Sequence, residues 1–146
     1  MDYELLKLDN QLCFALYACS KEITKSYKPF LDELGITYTQ YITLLVLWEQ
    51  DDITVKELGL RLHLDSGTLT PLLKKLEGIN LLERIRDTAD ERNVYVKLTE
   101  KGFKLKEQAA TVPYKLICTT GIVPEEAMEL REKLKTLLNT LDNKKS

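Results

Sequence analysis

Asp65-Ser66-Gly67-Thr68-Leu69-Thr70-Pro71-Leu72-Leu73-Lys74-Lys75-Leu76-Glu77 is the stretch that decides the architecture. Four small residues stand directly ahead of Leu69, Leu72, Leu73 and Leu76, whose steps of three and four place them on one helical face. An aspartate or serine in that position caps a helix, because its side-chain oxygen accepts from N–H groups that the first turn leaves without partners. Upstream, Thr54-Val55-Lys56-Glu57 has capping-box spacing and opens a shorter helix carrying Leu58 and Leu62. Only His63-Leu64-Asp65 separates the two helices, the turn length of a helix-turn-helix. Pro71 lacks an N–H and crowds the carbonyl four residues back, so an irregular first turn is expected.

Beyond Gly78-Ile79-Asn80, the segments Leu82–Arg86 and Val94–Leu98 alternate apolar and polar residues across the polar connection Asp87-Thr88-Ala89-Asp90-Glu91-Arg92-Asn93. They predict a β-hairpin with a projecting loop. Toward the amino end, Tyr41, Leu44, Leu45, Leu47 and Trp48 give a helix over Thr39–Gln50 a broad apolar face. Leu8, Leu12, Leu16, Cys19, Ile23 and Phe30 form the core stripe of a long first helix, expected to end near Lys28 because Pro29 disfavours helix at the residue before it. Thr99 caps a fifth helix that bends near Pro113 and stops by Gly121. Pro124-Glu125-Glu126 opens a sixth, with acids where the helix dipole favours them. Its Met128, Leu130, Leu134, Leu137, Leu138 and Leu141 exceed what a terminal helix can bury on so small a domain, which points to a helical dimer interface. The expected fold is mainly α with a small β-hairpin: a single domain over 1–146, with a winged helix-turn-helix lobe at 39–98 and a helical dimerisation region from 1–38 and 99–146.

At 146 residues, 44% hydrophobic and with a net charge of -2, the chain has the composition of one globular domain and not of a disordered segment. No apolar run approaches the roughly 18 residues of a membrane helix, and MDYELLKLDN lacks the pattern of a signal peptide, so a cytoplasmic protein without a membrane partner is expected. Cys13, Cys19 and Cys118 are an odd set without a C-x-x-C pair, which argues against a disulfide framework, a metal site or any cofactor. Charge is uneven along the chain. Residues 54–106 hold 11 Lys and Arg against 8 Asp and Glu, leaving 10 basic and 15 acidic elsewhere. A surplus of three is weak support for a polyanionic partner, and a solvated mixed surface has the same composition.

The order of elements weighs more. The amino end of a recognition helix enters the major groove of double-stranded DNA, where small residues approach phosphates and base edges. Asp65, Ser66, Gly67, Thr68 and Thr70 occupy that end, with Lys74 and Lys75 further along as candidate phosphate contacts. Arg92 at the hairpin tip suits a narrow minor groove, Asp90 is placed to orient its guanidinium, and Arg84 and Arg86 are candidates for backbone contact. Each residue has a plainer use as a cap, a solvated lysine or an exposed tip. The whole arrangement favours a dimer on a pseudo-palindromic site.

Cys13, Tyr17, Ser20, Thr24 and Tyr27 make a second stripe in which hydroxyl residues follow one thiol, a plausible setting for a peroxide-reactive thiolate. Tyr27 is 14 residues along, about 21 Å at the helical rise, and reaches Cys13 only from a second chain packed antiparallel. The plainer reading makes Cys13 a small buried apolar residue, and Cys19 is assigned to the core for that reason. The lone His63 packs or faces solvent rather than binding metal.

The recognition-helix segment quoted above and the wing Asp90-Glu91-Arg92-Asn93 resemble the MarR family of regulators over nearly the whole chain. Leu8-Asp9-Asn10-Gln11-Leu12-Cys13-Phe14, Tyr27-Lys28-Pro29 and Ile36-Thr37-Tyr38 resemble its organic-hydroperoxide sensors, the OhrR type. The resemblance implies a homodimeric repressor whose Cys13 reacts with an organic hydroperoxide, supported by the partner subunit's Tyr27 and Tyr38 with Tyr17 nearby. It implies that oxidation releases the operator, and that Cys118 corresponds to the second cysteine of the two-cysteine members. Cys19 lies outside that pattern, so pairing of Cys13 with Cys118, with Cys19 or with a small thiol stays open. Two further readings stand beside this one. One is a MarR-type regulator induced by a small phenolic or other anionic ligand between the first helix and the DNA-binding lobe, or a broader thiol-based oxidative-stress regulator. The other, from a different class, is a thiol peroxidase, which no further catalytic constellation supports.

Overall fold

In the computed structural model, which describes residues 1–145, two 3-10 turns, Glu4–Leu6 and Leu8–Asn10, lead into helix α1, Leu12–Leu34. Then come α2 (Tyr38–Glu49), the short strand β1 (Ile53–Thr54), α3 (Val55–Leu62), α4 (Ser66–Gly78), β2 (Leu82–Arg86) and β3 (Val94–Leu98). Helices α5 (Glu100–Ala109), α6 (Val112–Thr120) and α7 (Pro124–Asn143) complete the chain. Two compact units result, Met1–Val112 and a second beginning at Pro113.

The first unit has the expected winged helix-turn-helix order. Asp65 caps α4 by accepting from Thr68 N–H at 2.8 Å, and Thr54 caps α3 through Glu57 N–H at 3.1 Å. His63 closes α3 in the left-handed region at φ 55°, letting Leu64 N–H reach Gly59 O at 3.0 Å. Gly59 is required there: a Cβ would stand 2.8 Å from Leu64 O and 3.0 Å from Leu69 Cδ1. Leu69, Leu72, Leu73 and Leu76 are all buried, at about 1.5–3 kcal/mol each, and bind α4 to the core with Leu44, Leu47 and Leu58. Helix α2 starts in a full capping box between Thr37 and Gln40.

Several sequence expectations need correction. The sheet has three strands in the order β1-β3-β2, because Ile53 and Thr54 pair antiparallel with Val96 and Tyr95; two residues are too few to show an alternating pattern. Pro71 sits inside α4 without breaking it, and beside it Thr70 Oγ1 donates to Ser66 O at 2.8 Å. Pro29 does not end α1, which runs to Leu34 and stops at Gly35, φ 71°, where Ile36 N–H returns to Leu31 O. The α5 to α6 break falls at residues 110–111, just ahead of Pro113.

The largest difference lies in α1, where only the last two turns meet the core, through Tyr27, Phe30, Leu31 and Leu34. Apart from Phe30, the stripe assigned to the core is largely open in the single chain, with Leu8 56% and Leu12 62% exposed. Cys19 and Cys13 are exposed too, so neither is a buried apolar filler within one chain. In the second unit, Met128, Leu130, Leu134, Leu138 and Leu141 of α7 are likewise exposed. Contiguous apolar surface of this kind marks an interface.

Candidate functional site

Ser66, Gly67, Thr68 and Thr70 line the exposed amino end of α4, and Lys74 and Lys75 are exposed one and two turns further along. Asp65 is committed to the cap, and the Thr68 N–H bond holds its carboxyl below the ordinary aspartate range. One of its carboxylate oxygens therefore serves the cap at the amino end of α4.

The wing is built by its own polar residues. Asp87 N–H donates to Asn93 O at 2.9 Å, Asn93 N–H donates to Asp90 O at 3.0 Å, and Asp87 Oδ1 accepts from Ala89 N–H at 3.0 Å. Asp90 grips Arg92 with both oxygens, Nε to Oδ1 and Nη2 to Oδ2 at 3.0 Å each, while also accepting the Arg92 backbone N–H. That pairing holds the Asp90 carboxyl down and the Arg92 guanidinium up in pKa. Arg92 is 89% exposed, so the clamp sets its direction and leaves its outer face to a partner. The expected orienting of the Arg92 guanidinium by Asp90 is present.

Arg84 and Arg86, the candidates for DNA-backbone contact, each make hydrogen bonds within the protein. Arg84 Nη2 donates to Glu77 Oε1 at 3.0 Å, its backbone N–H donates to Glu77 Oε2 at 3.0 Å, and its side chain is 26% exposed. Arg86 Nη1 donates to the carbonyl of Glu91 and folds the wing loop against its strand. Both have donors committed to the protein. Their partners are not legible in the sequence, because Glu77 reads as an ordinary solvated acid at the end of a helix and the Arg86 acceptor is a backbone carbonyl that any residue could supply.

Cys13 is the second residue of α1 and is exposed. Tyr17, one turn on, is 63% exposed and has Phe14 at 6.5 Å between ring centroids. Tyr27 of α1 and Tyr38 of α2 are brought together at 5.1 Å, and Tyr41 joins them at 5.7 Å from Tyr27 and 6.4 Å from Tyr38. Burial, then the neighbouring Tyr38 and Tyr41, pushes the Tyr27 phenol up to about 12; burial raises Tyr38 and Tyr41 as well. These hydroxyls remain neutral donors at any physiological pH. Tyr41 was assigned to the apolar face of its helix, although its three-residue step from Tyr38 is the signal that places them together. Since α1 is unbroken from Leu12 to Leu34, Tyr27 stays about 21 Å from Cys13 of its own chain.

Cys118 is exposed on α6, in the second unit. Tyr114, one turn earlier, interacts with its sulfur, and that hydrogen bond, with the negative charge of a Cys118 thiolate, raises the Tyr114 phenol. An open groove of about 790 Å³, lined by Leu34, Asn80, Thr99, Glu100, Lys101, Lys104, Leu105 and Gln108, lies where a small anion was one expectation. Two of its lysines make contacts within the protein, Lys101 to Ile79 O at 2.9 Å and Lys104 to Glu100 at 3.1 Å. Among the described residues, no group of three His, Cys, Asp or Glu is placed to hold a metal, and no helix is long and apolar enough to cross a membrane.

Comparison with known proteins adds to this geometry. Residues 25–109 match the family model for the transcriptional regulator SarA/Rot. The chain is 50% identical over 142 residues, 97% of each protein, to the organic hydroperoxide resistance transcriptional regulator of Bacillus subtilis strain 168. Reduced AbfR bound to DNA, from a regulator of Staphylococcus epidermidis, is 36% identical and superposes with a TM-score of 0.78 over 97% of this chain and 99% of its own. The disulfide form of AbfR, 38% identical, gives 0.64 over 92% and 95%.

Proposed function

The chain belongs to the SarA/Rot family of MarR-like transcriptional regulators, and on that premise we propose that it is a homodimeric repressor that senses organic hydroperoxides through Cys13 and then releases its operator. The observation that carries this reading is an exposed thiol on α1 together with a partly buried cluster of tyrosines that its own chain cannot deliver to it. A second copy packed antiparallel along α1 supplies them and covers the exposed leucines of the amino-terminal segment. Neutral phenols then donate to the Cys13 sulfur and favour its thiolate. DNA is read by Ser66, Gly67, Thr68 and Thr70 in the major groove, by Lys74 and Lys75 on phosphates and by Arg92 in the minor groove.

The Cys13 thiolate attacks the outer oxygen of the hydroperoxide, the O–O bond breaks, and the alkoxide leaves as the alcohol after taking a proton. This yields a sulfenic acid. The Cys118 thiolate of the other subunit then attacks that sulfur, an S–S bond forms, and hydroxide leaves as water. One peroxide is consumed per site, so this is sensing and not turnover, and it takes place in the cytoplasm. The lower TM-score against the disulfide form of AbfR, 0.64, than against its reduced, DNA-bound form, 0.78, fits a switch in which the bond changes the conformation. A one-decade loss of affinity needs only about 1.4 kcal/mol of strain.

The test is a peroxide titration read on a non-reducing gel and by mass spectrometry. Wild type should give an intersubunit Cys13–Cys118 disulfide, Cys118→Ser a persistent sulfenate or a mixed disulfide with added small thiol, and Cys13→Ser neither. A disulfide through Cys19, or Cys13 left unmodified at stoichiometric peroxide, would contradict the assignment.

A further inference from the structure

Glu77, in the last turn of α4, reaches across to β2 and holds Arg84 at two points, the backbone N–H and the guanidinium, each at 3.0 Å. β2 is an outer strand of the sheet, paired only with β3, so the N–H that Glu77 accepts would otherwise lie along an open edge. Arg84 Nε is buried without a hydrogen-bond partner among the described residues, which shows that this guanidinium is turned into the protein and toward α4. Two residues along the same strand, Arg86 binds the Glu91 carbonyl, and the adjacent Asp90 fixes Arg92. Guanidinium contacts therefore recur at three points between the recognition helix and the tip of the wing, Arg84 with Glu77, Arg86 with the Glu91 carbonyl and Arg92 with Asp90.

We propose that Glu77 and Arg84 are positioning residues that lock the wing to the recognition helix, so that Arg92 meets the minor groove at a set distance from Ser66 to Thr70 in the major groove. This rests on the DNA-reading role given above to α4 and the wing. The rival role for Arg84, a phosphate contact, makes the opposite prediction for its partner. Removing the negative charge of Glu77 would free the arginine and strengthen DNA binding if Arg84 touched phosphate, whereas it weakens binding if the pair is a latch.

The experiment is fluorescence anisotropy on the upstream operator DNA over a series of salt concentrations, with wild type, Glu77→Gln, Arg84→Gln, Arg92→Ala and the double variant Glu77→Gln/Arg92→Ala. The latch predicts about a tenfold loss of affinity in Glu77→Gln, the scale of one displaced groove contact. Arg84→Gln loses a similar factor with the salt slope unchanged, and Glu77→Gln adds nothing once Arg92 is gone. Tighter or unchanged binding by Glu77→Gln, with a salt slope shallower by about 0.9 in Arg84→Gln, overturns the proposal in favour of a phosphate contact. An equal loss from Glu77→Gln with and without Arg92 overturns it in favour of a role in folding alone. If wild type does not bind the operator, the DNA-reading assignment and the latch fall together.

Discussion

Mixed dimers test how the redox site is shared. Cys13 and Tyr27 lie in one continuous helix, and 14 residues at 1.5 Å each separate them by about 21 Å, five times the reach of a hydrogen bond to sulfur. Each Cys13 must therefore draw on the partner subunit's Tyr27. A hydrogen bond to a charged group contributes about 1.5–3 kcal/mol. Loss of that donor in Tyr27→Phe should slow oxidation of Cys13 by about 10- to 150-fold. Differently tagged chains carrying Cys13→Ser and Tyr27→Phe, both in a Cys118→Ser background, are co-expressed and the mixed dimer isolated. In it, the one remaining Cys13 faces an intact Tyr27 from the other chain. Sulfenate trapping followed by mass spectrometry should label that cysteine at the rate of the Cys118→Ser parent, while the Tyr27→Phe homodimer labels slowly. Labelling of the mixed dimer at the slow rate would refute the shared site, because it would mean that Tyr27 acts on the thiol of its own chain.

Three further outcomes are expected. Gly102→Ala should destabilise the lobe, since a Cβ there would stand 2.1 Å from Leu81 O and 3.0 Å from Leu98 Cδ2; such overpacking costs about 1–3 kcal/mol or more, and the melting temperature should fall by roughly 5 °C or more. In an alkaline titration followed by tyrosinate absorbance, Tyr27 should ionise near pH 12, well after the exposed tyrosines. Because its folded pKa is raised, its contribution to stability is complete below the ordinary tyrosine value of about 10 and is lost as pH rises through about 12, so Tyr27→Phe should flatten the alkaline fall in melting temperature. Tyr114→Phe should slow disulfide formation at Cys118 while leaving sulfenate formation at Cys13 unchanged, as read by stopped peroxide time courses on non-reducing gels.

The DNA-reading lobe was legible because its signals are local. Thr54 and Asp65 cap helices that begin where their leucine spacing begins, and the alternation in Leu82–Arg86 and Val94–Leu98 pairs those segments in a single register. The bidentate hold of Asp90 on Arg92 spans two residues and needs no knowledge of the rest of the chain. What was not legible depends on distant partners. Arg84 looks like a free basic residue until α4 brings Glu77 against it, and β1 is a strand only because β3 lies beside it. Pro29 is a reliable helix stop in a short peptide, yet here the turns around it are held by the packing of Tyr27, Phe30 and Leu31 on the core, with Gly35 as the true end. The stripe containing Leu8, Leu12 and Cys19 was read correctly as apolar and wrongly as intramolecular. Periodicity shows that a face wants burial and says nothing about whether the same chain covers it. Tyr41 was hidden for the converse reason, since a tyrosine at a core position serves packing and hydrogen bonding at once.

The central claim is that oxidation of Cys13 releases DNA. Fluorescence anisotropy of the reduced dimer on its upstream DNA, before and after one equivalent of an organic hydroperoxide, measures it directly, with Cys13→Ser alongside. Wild type should lose at least a decade of affinity and recover it on reduction by a dithiol, and Cys13→Ser should remain bound throughout. Retention of DNA by fully oxidised wild type, or release of Cys13→Ser by the same peroxide, would contradict the account.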